Sequence, residues 1–325
     1  SPLFGFLSGW VSFFVGFSAP VAASSLAFSE YMIRVLPPEF LPQEIDLTKK
    51  ILAIGIILVF TLIHYFGLRS GSRVQNFLTV LKIGLIVVFV SIGFAFGDGS
   101  FEHFKPQAGE SFEGANLKTI GLALMWIMFA YSGWNASTYV GSEVYNPVKN
   151  IPRSLITGTL FVTIIYLLLN TLFIYSVPAQ EMKGVISICG LAANKLFNLS
   201  MYLFFYIFIA AFLLSDISVL NIIGPRVYFA FAVSGHFLNV AIRINKSNVP
   251  GNSILMQSGL AIIFVVSGTF DQIITLLSFS LGIFPILVVI GVFKLRMKKQ
   301  SVLKIPGYPV YQLVFIIFSI SILVL

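Results

Sequence analysis

The chain has 325 residues, of which 58% are hydrophobic and only 10% are charged, and it contains 34 Phe. Soluble domains carry about 25% charged residues, so this composition excludes an ordinary soluble protein and predicts an all-α integral membrane protein. The single cysteine excludes an internal disulfide framework and a multi-cysteine metal site. The net charge of +8 would suit a nucleic-acid partner only if the basic residues formed a binding face.

A helix that crosses a membrane needs about 20 mainly apolar residues. Segments of this kind predict about nine spans, at residues 3–33, 51–68, 75–96, 118–142, 154–177, 197–224, 253–268, 272–293 and 308–325. Pro20 and Pro285 lie inside two of them and are expected to kink their helices.

The connections between these segments alternate between two kinds of charge. One set holds twelve basic residues with Glu143 as the only acid, whereas the other mixes seven basic residues with nine acids. The positive-inside rule places the first set in the cytoplasm, with residue 1 at the cytoplasmic face of a multi-pass plasma-membrane protein. The basic surplus is therefore a topology signal, and nucleic acid is excluded as a partner.

Both ends of the sequence lie in apolar stretches. The chain begins at Ser1, enters its first span almost at once, and stops at Leu325 without a polar exit. These ends predict a fragment, truncated on both sides, of a longer membrane protein. Residues 1–325 are expected to form a single transmembrane domain.

The fourth predicted span has a polar centre, Phe129-Ala-Tyr-Ser-Gly-Trp-Asn-Ala-Ser-Thr-Tyr139, here called the polar segment. Unpaired polar groups in hydrocarbon cost several kcal/mol each, so a plain spanning helix keeps its centre apolar. The segment therefore predicts a break at residues 131–136, and broken helices at this depth hold substrate in secondary transporters. The residues alone leave an equal alternative, a small-residue face that packs against a neighbouring helix.

The polar segment offers several kinds of ligand-binding group. Backbone groups freed near Ser132 and Gly133 can bind an ammonium or a carboxylate without a charged side chain. Tyr131 and Trp134 offer aromatic walls, and Asn135 and Ser132 offer donors and acceptors.

The run FAYSGWNASTYVGSEVYNPVKNIPRSL (129–155) resembles the sixth span and following loop of the amino acid–polyamine–organocation permeases, and most closely their L-amino-acid transporter branch. Other stretches agree in the family's order: GFLSGWVSFFVGFSAP (5–20), GLRSGSRVQNFLTVLK (67–82), GPRVYFAFA (224–232) and IPGYPV (305–310). The resemblance covers the whole chain. It implies a twelve-span, five-plus-five inverted-repeat (LeuT-like) transporter fold, of which spans three to eleven are present. Spans one and two, which share the family's substrate site, would lie outside this sequence.

The resemblance implies that Phe129 is a gate over the substrate and that Ser132, Trp134 and Asn135 are pocket residues. With Ala130, Tyr131 and Gly133, whose position in the polar segment places them beside these residues, they form the predicted substrate-binding set. Independently of the resemblance, the gating candidates are Glu143, within a network with Asn146, Pro147 and Arg153, together with Phe279 and Phe284. A helix-capping role for Glu143 is the alternative.

Two charges are predicted at mid-membrane depth. Lys82 lies nine residues beyond Arg73 and Asp216 ten before Arg226, which at the helical rise places them about 13 Å and about 15 Å deep. They are expected to pair, because an unpaired ion there is costly.

Lys82 and the residues around Asp216 are coupling candidates. Burial favours the neutral form of an amine, which would suit a proton carrier, and the resemblance implies that a lysine in this TVLK context takes the place of a coupling sodium. A fixed structural pair is the alternative. Ser215 and Ser218 are candidates for lining the same space, or else hydroxyls bonded back to their own helix. His64, five residues from Arg69, is expected to be interfacial or a packing residue.

The expected function is secondary active transport of amino acids by alternating access, as proton-coupled symport or as exchange. The alternatives are a polyamine or organic-cation transporter, a non-transporting nutrient sensor on the same fold, and an ion channel, which would need a polar stripe on several helices. No catalytic constellation or phosphate-binding loop is visible, so neither an enzyme nor a cofactor or metal is expected. The expected partners are the amino acid, membrane lipid, a coupling proton and, in a homo-oligomer, further copies of the chain.

Overall fold

The computed structural model describes the chain apart from residues 1, 38, 40–42, 106–119, 122, 125–126, 128–129, 186–187, 198–201, 269, 299–306 and 325. The side chains of residues 2, 68, 70, 202, 270–283 and 322–324 also lie outside the described set.

The described residues form helices and no strand, so the all-α prediction is confirmed. The helices are α1 (Pro2–Val11), α2 (Ala19–Val35), α3 (Ile45–Tyr65), α4 (Leu68–Phe96), α5 (Ala136–Tyr139), α6 (Pro147–Ser176), α7 (Ile188–Phe197), α8 (Tyr202–Val233), α9 (Gly251–Ser267), α10 (Phe270–Met297) and α11 (Val310–Val324). Short 3-10 turns lie at Phe101–Phe104, Gly141–Glu143, Ala179–Met182 and Asn239–Ile242.

Long apolar helices dominate the fold. Among the described residues, five helices are long and apolar enough to cross a membrane: Leu3–Val35, Ile45–Tyr65, Gly71–Phe96, Pro147–Ser176 and Leu203–Val233. The helices α9, α10 and α11 follow in the predicted order. The short helix α7 lies almost entirely between two predicted spans, and its 10 residues are well below the length of a span.

The first span is one helical stretch in which residues Ser12–Ser18 are π-helical between α1 and α2. Pro20 lies two residues after the last residue of this π segment, Ser18. Proline has no N–H to donate, and its ring crowds the carbonyl four residues back, so a wider turn just before it relieves the crowding. The Ser18 hydroxyl donates to the carbonyl of Phe13, five residues earlier, at 2.7 Å. The irregularity expected at Pro20 is thus a π-helical segment.

The core is built around α2, which packs against α3, α8, α9 and α10. Small buried residues on α2, α3 and α9, such as Ala22, Ala53 and Ala261, allow their backbones to approach closely. A second cluster joins α4, α6, α7 and α8 through Leu172 and Phe205 among others. Apolar side chains along α6 point outward and are exposed, as expected for a helix that faces lipid.

Candidate functional site

The helix of the polar segment is broken at its centre. Ala130 is helical, residues 131–135 form turns, and α5 begins at Ala136. Gly133 has a φ of +87°, a conformation that glycine adopts readily because it has no Cβ. The amide of Ala136 donates to the carbonyl of Gly133 at 2.9 Å, closing a tight turn instead of continuing the α-helix. The predicted break is confirmed.

Helix α6 satisfies a backbone group that the break leaves free. The Tyr166 hydroxyl donates to the carbonyl of Ala130 at 2.9 Å, and the Tyr131 hydroxyl donates to Thr163 Oγ1 at 3.2 Å. The Tyr131 and Tyr166 rings meet edge to face with centroids 5.2 Å apart. A carbonyl released at membrane depth needs such a partner. The sequence offered no signal for Tyr166 beyond a hydroxyl on an apolar helix.

The side chains of the turn are open. Ser132 and Gly133 are exposed, Trp134 is 50% exposed, and nothing lies within 4 Å of where a Cβ on Gly133 would be. Asn135 is half-buried, and its Nδ2 donates to the Tyr139 hydroxyl at 2.8 Å. Phe129 lies outside the described residues.

The predicted pair of mid-membrane charges is present. Lys82 Nζ of α4 lies 2.8 Å from Asp216 Oδ1 of α8. Their side chains are 26% and 49% exposed, respectively, so the pair is only partly withdrawn from its surroundings. The ammonium also lies over the Phe212 ring, 5.4 Å from its centroid, where the π-electrons attract a cation. Tyr166 is close enough to Asp216 for the two to interact electrostatically.

The serines near Asp216 bond to other helices. Ser215 Oγ accepts from Gln75 Nε2 of α4 at 3.3 Å. Ser218 Oγ lies 3.1 Å from His64 Nε2 of α3. Both serines are buried, so Ser215 borders the helix that carries Lys82, whereas Ser218 faces α3. Both hydroxyls therefore link α8 to a neighbouring helix. The sequence alone suggests either that they line the space around the charged pair or that they bond back to their own helix.

His64 is buried, with a side chain stacked on the Phe60 ring at 6.3 Å between centroids. Of the two roles expected for it, packing is confirmed, because the residue sits in the contact between α3 and α8. Nearby Asn221 is also buried, and its Nδ2 donates to the carbonyl of Ile217.

Glu143 forms an ion pair that the sequence did not identify. Arg226 Nε and Nη2 of α8 donate to the two Glu143 carboxylate oxygens, at 2.7 and 3.2 Å. Arg226 also donates to the carbonyl of Ile222. The expected network with Arg153 is therefore replaced, within the described part of the chain, by a bidentate pair with Arg226. Asn146 begins α6 in a left-handed conformation, with φ +46°.

The aromatic gating candidates lie on α10. Phe284 is half-buried and directly precedes Pro285. The helix includes Phe279, but the side chain of that residue is outside the described set.

Metal or thiol chemistry gains no support from the described residues. No group of three or more His, Cys, Asp or Glu among them could hold a metal ion. Burial raises the pKa of the Cys189 thiol to about 11, so this residue is protonated at neutral pH and unreactive.

A helix that breaks within an apolar segment is a feature found in secondary transporters. The chain belongs to the amino acid permease family, which it matches over residues 1–325.

The chain is similar to several characterised transporters. It is 26% identical over 305 residues to the b(0,+)-type amino acid transporter 1 of Oryctolagus cuniculus, covering 92% of this chain and 61% of that protein. It is 26% identical over 303 residues to the Large neutral amino acids transporter small subunit 2 of Homo sapiens, covering 92% and 56%. It is 28% identical over 304 residues to the Cystine/glutamate transporter of Pongo abelii, covering 91% and 59%. The chain thus spans only 56–61% of the length of these relatives.

Proposed function

We propose that the protein to which this chain belongs is a secondary transporter that moves amino acids across the plasma membrane by alternating access. The observation that carries the proposal is the break at Gly133, which leaves Ser132 and Trp134 exposed within a segment whose sequence predicts a membrane span. The names of the three relatives, each an amino acid transporter, support the same substrate class.

In this proposal the polar segment supplies part of the substrate site. Ser132, Gly133 and the backbone from Ala130 to Asn135 bind the charged ends of the amino acid. Trp134 and Tyr131 contact its side chain, and Phe129 covers it as the family resemblance implies. The exposure of Ser132 and Trp134 supports these roles because both groups are free to meet a ligand.

Lys82 and Asp216 are the proposed coupling residues. Ser215 lies next to Asp216 in the sequence of α8, and Ser218 lies on the side of α8 that faces α3. A charged pair that is only partly shielded can change its protonation when the space around it opens or closes. Its 2.8 Å contact and its position on two different helices support such a link between charge and helix arrangement. The pair is compatible with both transport modes. A pair that changes its protonation would serve proton-coupled symport, and a pair that stays charged would serve exchange.

The membrane arrangement completes the proposal. Residue 1 lies at the cytoplasmic face, so the Glu143–Arg226 pair lies toward the cytoplasm and acts there as a gate, with Phe279 and Phe284 as further gating candidates. The five-plus-five inverted repeat, a single domain over residues 1–325 and homo-oligomer formation stay predictions.

A polyamine transporter is the second candidate, and the structure weakens it. A dication needs acidic groups in the site, and two acids near the polar segment in the described chain already have counter-ions: Asp216 pairs with Lys82 and Glu143 with Arg226. A nutrient sensor would share the fold and differ only in not moving its ligand.

Uptake by the full-length protein in liposomes tests the proposal. Labelled amino acids and putrescine are offered to vesicles that are empty, preloaded with unlabelled amino acids, or held under a pH gradient. Amino acid uptake driven by preloading indicates exchange, and uptake driven by the gradient indicates proton symport. Binding without uptake would indicate a sensor, and uptake of putrescine alone would contradict the proposal.

A further inference from the structure

Tyr139 lies one helical turn after Asn135, and its hydroxyl accepts a hydrogen bond from Asn135 Nδ2 at 2.8 Å. A neutral amide has two N–H donors and one carbonyl acceptor. One donor is therefore committed to Tyr139, which fixes how the planar amide is turned and leaves its Oδ1 and second N–H for a ligand.

The Tyr139 ring is itself held by the π segment. Phe17 meets it edge to face, with centroids 5.5 Å apart and an interplanar angle of 82°. Phe17 also meets the Tyr228 ring edge to face at 6.0 Å, and the fully buried Tyr228 donates its hydroxyl to Gln257 Oε1 at 2.9 Å.

Phe17 has little freedom to move away. It is buried against Gly224 of α8, where an added Cβ would lie 2.9 Å from Phe17 Cβ. Because π-helical turns commonly occur at functional sites, the position of this support beside the break is consistent with a role in the site.

We propose that Tyr139 is a positioning residue that orients the Asn135 amide for the substrate, and that the π segment holds Tyr139 in place through Phe17. This inference rests on the proposed function, since it assigns Asn135 a bound amino acid. It adds a residue outside the turn to the determinants of substrate affinity.

Tyr139→Phe in the full-length protein removes the hydroxyl and keeps the ring that packs on Phe17. We expect the KM of the transported amino acid to rise about 3- to 10-fold, the size of one neutral hydrogen bond, with little change in the maximal rate per folded molecule. Tyr175→Phe is the matched control: its hydroxyl donates to the carbonyl of Gly97 at 3.4 Å, away from the polar segment, and its loss should leave KM unchanged.

The decisive measurement is a double-mutant cycle with Asn135→Ala. A residue that acts through Asn135 loses its effect when the amide is gone, so Tyr139→Phe should change KM or the substrate Kd less than about twofold in that background. A wild-type KM for Tyr139→Phe, or an equal increase in both backgrounds, would overturn the inference. If Tyr139→Phe does not accumulate in membranes, Tyr139→Leu, which likewise cannot accept the Asn135 hydrogen bond, takes its place in the cycle with the same criteria.

The two proposals fail in different ways. A wild-type protein that transports no amino acid contradicts the proposed function. Normal wild-type transport with an unaffected Tyr139→Phe variant overturns only the positioning role.

Discussion

Replacing Lys82 by alanine removes the ammonium that lies 2.8 Å from Asp216 and leaves that carboxylate without its counter-ion. Breaking a fully buried pair costs about 3–5 kcal/mol, whereas an exposed pair contributes about 0–1 kcal/mol. Because the two side chains are 26% and 49% exposed, we expect a loss of about 1–3 kcal/mol in the free energy of unfolding, between these limits.

The pH dependence of uptake separates the two roles of the pair. If the lysine exchanges a proton during transport, Lys82→Ala abolishes the pH dependence while some exchange of substrate remains. If the pair is a static contact, the variant is mainly less stable, and adding Asp216→Asn restores part of the lost stability because it removes the orphaned charge.

The assay measures uptake in liposomes across a pH series, with the thermal stability of the same purified protein. Lys105→Ala is the matched control, since Lys105 pairs at 2.8 Å with Glu102 at an exposed position away from the polar segment. It should change neither quantity appreciably. A well-folded Lys82→Ala protein with the wild-type pH dependence would refute the coupling role.

Three further predictions concern the polar segment and its ion pair. Trp134→Ala or Asn135→Ala should weaken substrate binding, by about tenfold or ~1.4 kcal/mol for Trp134. Membrane insertion should stay intact because both side chains are at least partly exposed. Unchanged uptake kinetics in both variants would remove the two residues from the site. Gly133→Ala meets no neighbouring atom but must adopt φ +87°, so thermal unfolding should show a loss of about 1 kcal/mol, and equal stability would argue against a rigid turn. Arg226→Glu should slow transport more than it alters KM, and the exchanged pair Glu143→Arg/Arg226→Glu should recover part of the rate; no recovery would indicate that the contact does not limit transport.

The order of the spans could be predicted because it depends on local composition. Hydrophobic length identifies a span without knowledge of its neighbours, and the break could be found because polar residues around Gly133 contradict that pattern. The Lys82–Asp216 pair could be predicted because two opposite charges at equal depth have few other partners.

Partner choice across helices was not accessible from the sequence. Any of twelve basic residues on the same predicted face could have paired with Glu143, and only the packing of α8 selects Arg226. The contact between Tyr166 and Ala130 likewise depends on how α6 lies against the break. The π segment is a joint effect of Pro20 and of the aromatic packing around Phe17, and hydrophobic periodicity carries no signal for either.

The polar segment is attached to the rest of the protein in two different ways, and the difference bears on how it can move. Near its start, the Tyr166 hydroxyl of α6 donates a hydrogen bond to the carbonyl of Ala130. In the described part of the chain this carbonyl has no other side-chain partner, and an unpaired carbonyl is costly in a membrane. Beyond its end, Glu143 binds Arg226 of α8 through a pair whose carboxylate and guanidinium side chains are 41% and 12% exposed, so separating them costs about 1–3 kcal/mol, between the values for exposed and buried pairs. Separating the first half of the segment from α6 would expose an unpaired carbonyl, whereas separating its second half from α8 would break the Glu143–Arg226 pair and the Tyr139–Phe17 contact. We therefore expect the two halves to move separately about Gly133, the first with α6 and the second with α8, which also carries Asp216, so that each change of access alters the surroundings of the Lys82–Asp216 pair. A slower rate for Arg226→Glu that the exchanged pair recovers is the outcome this arrangement requires.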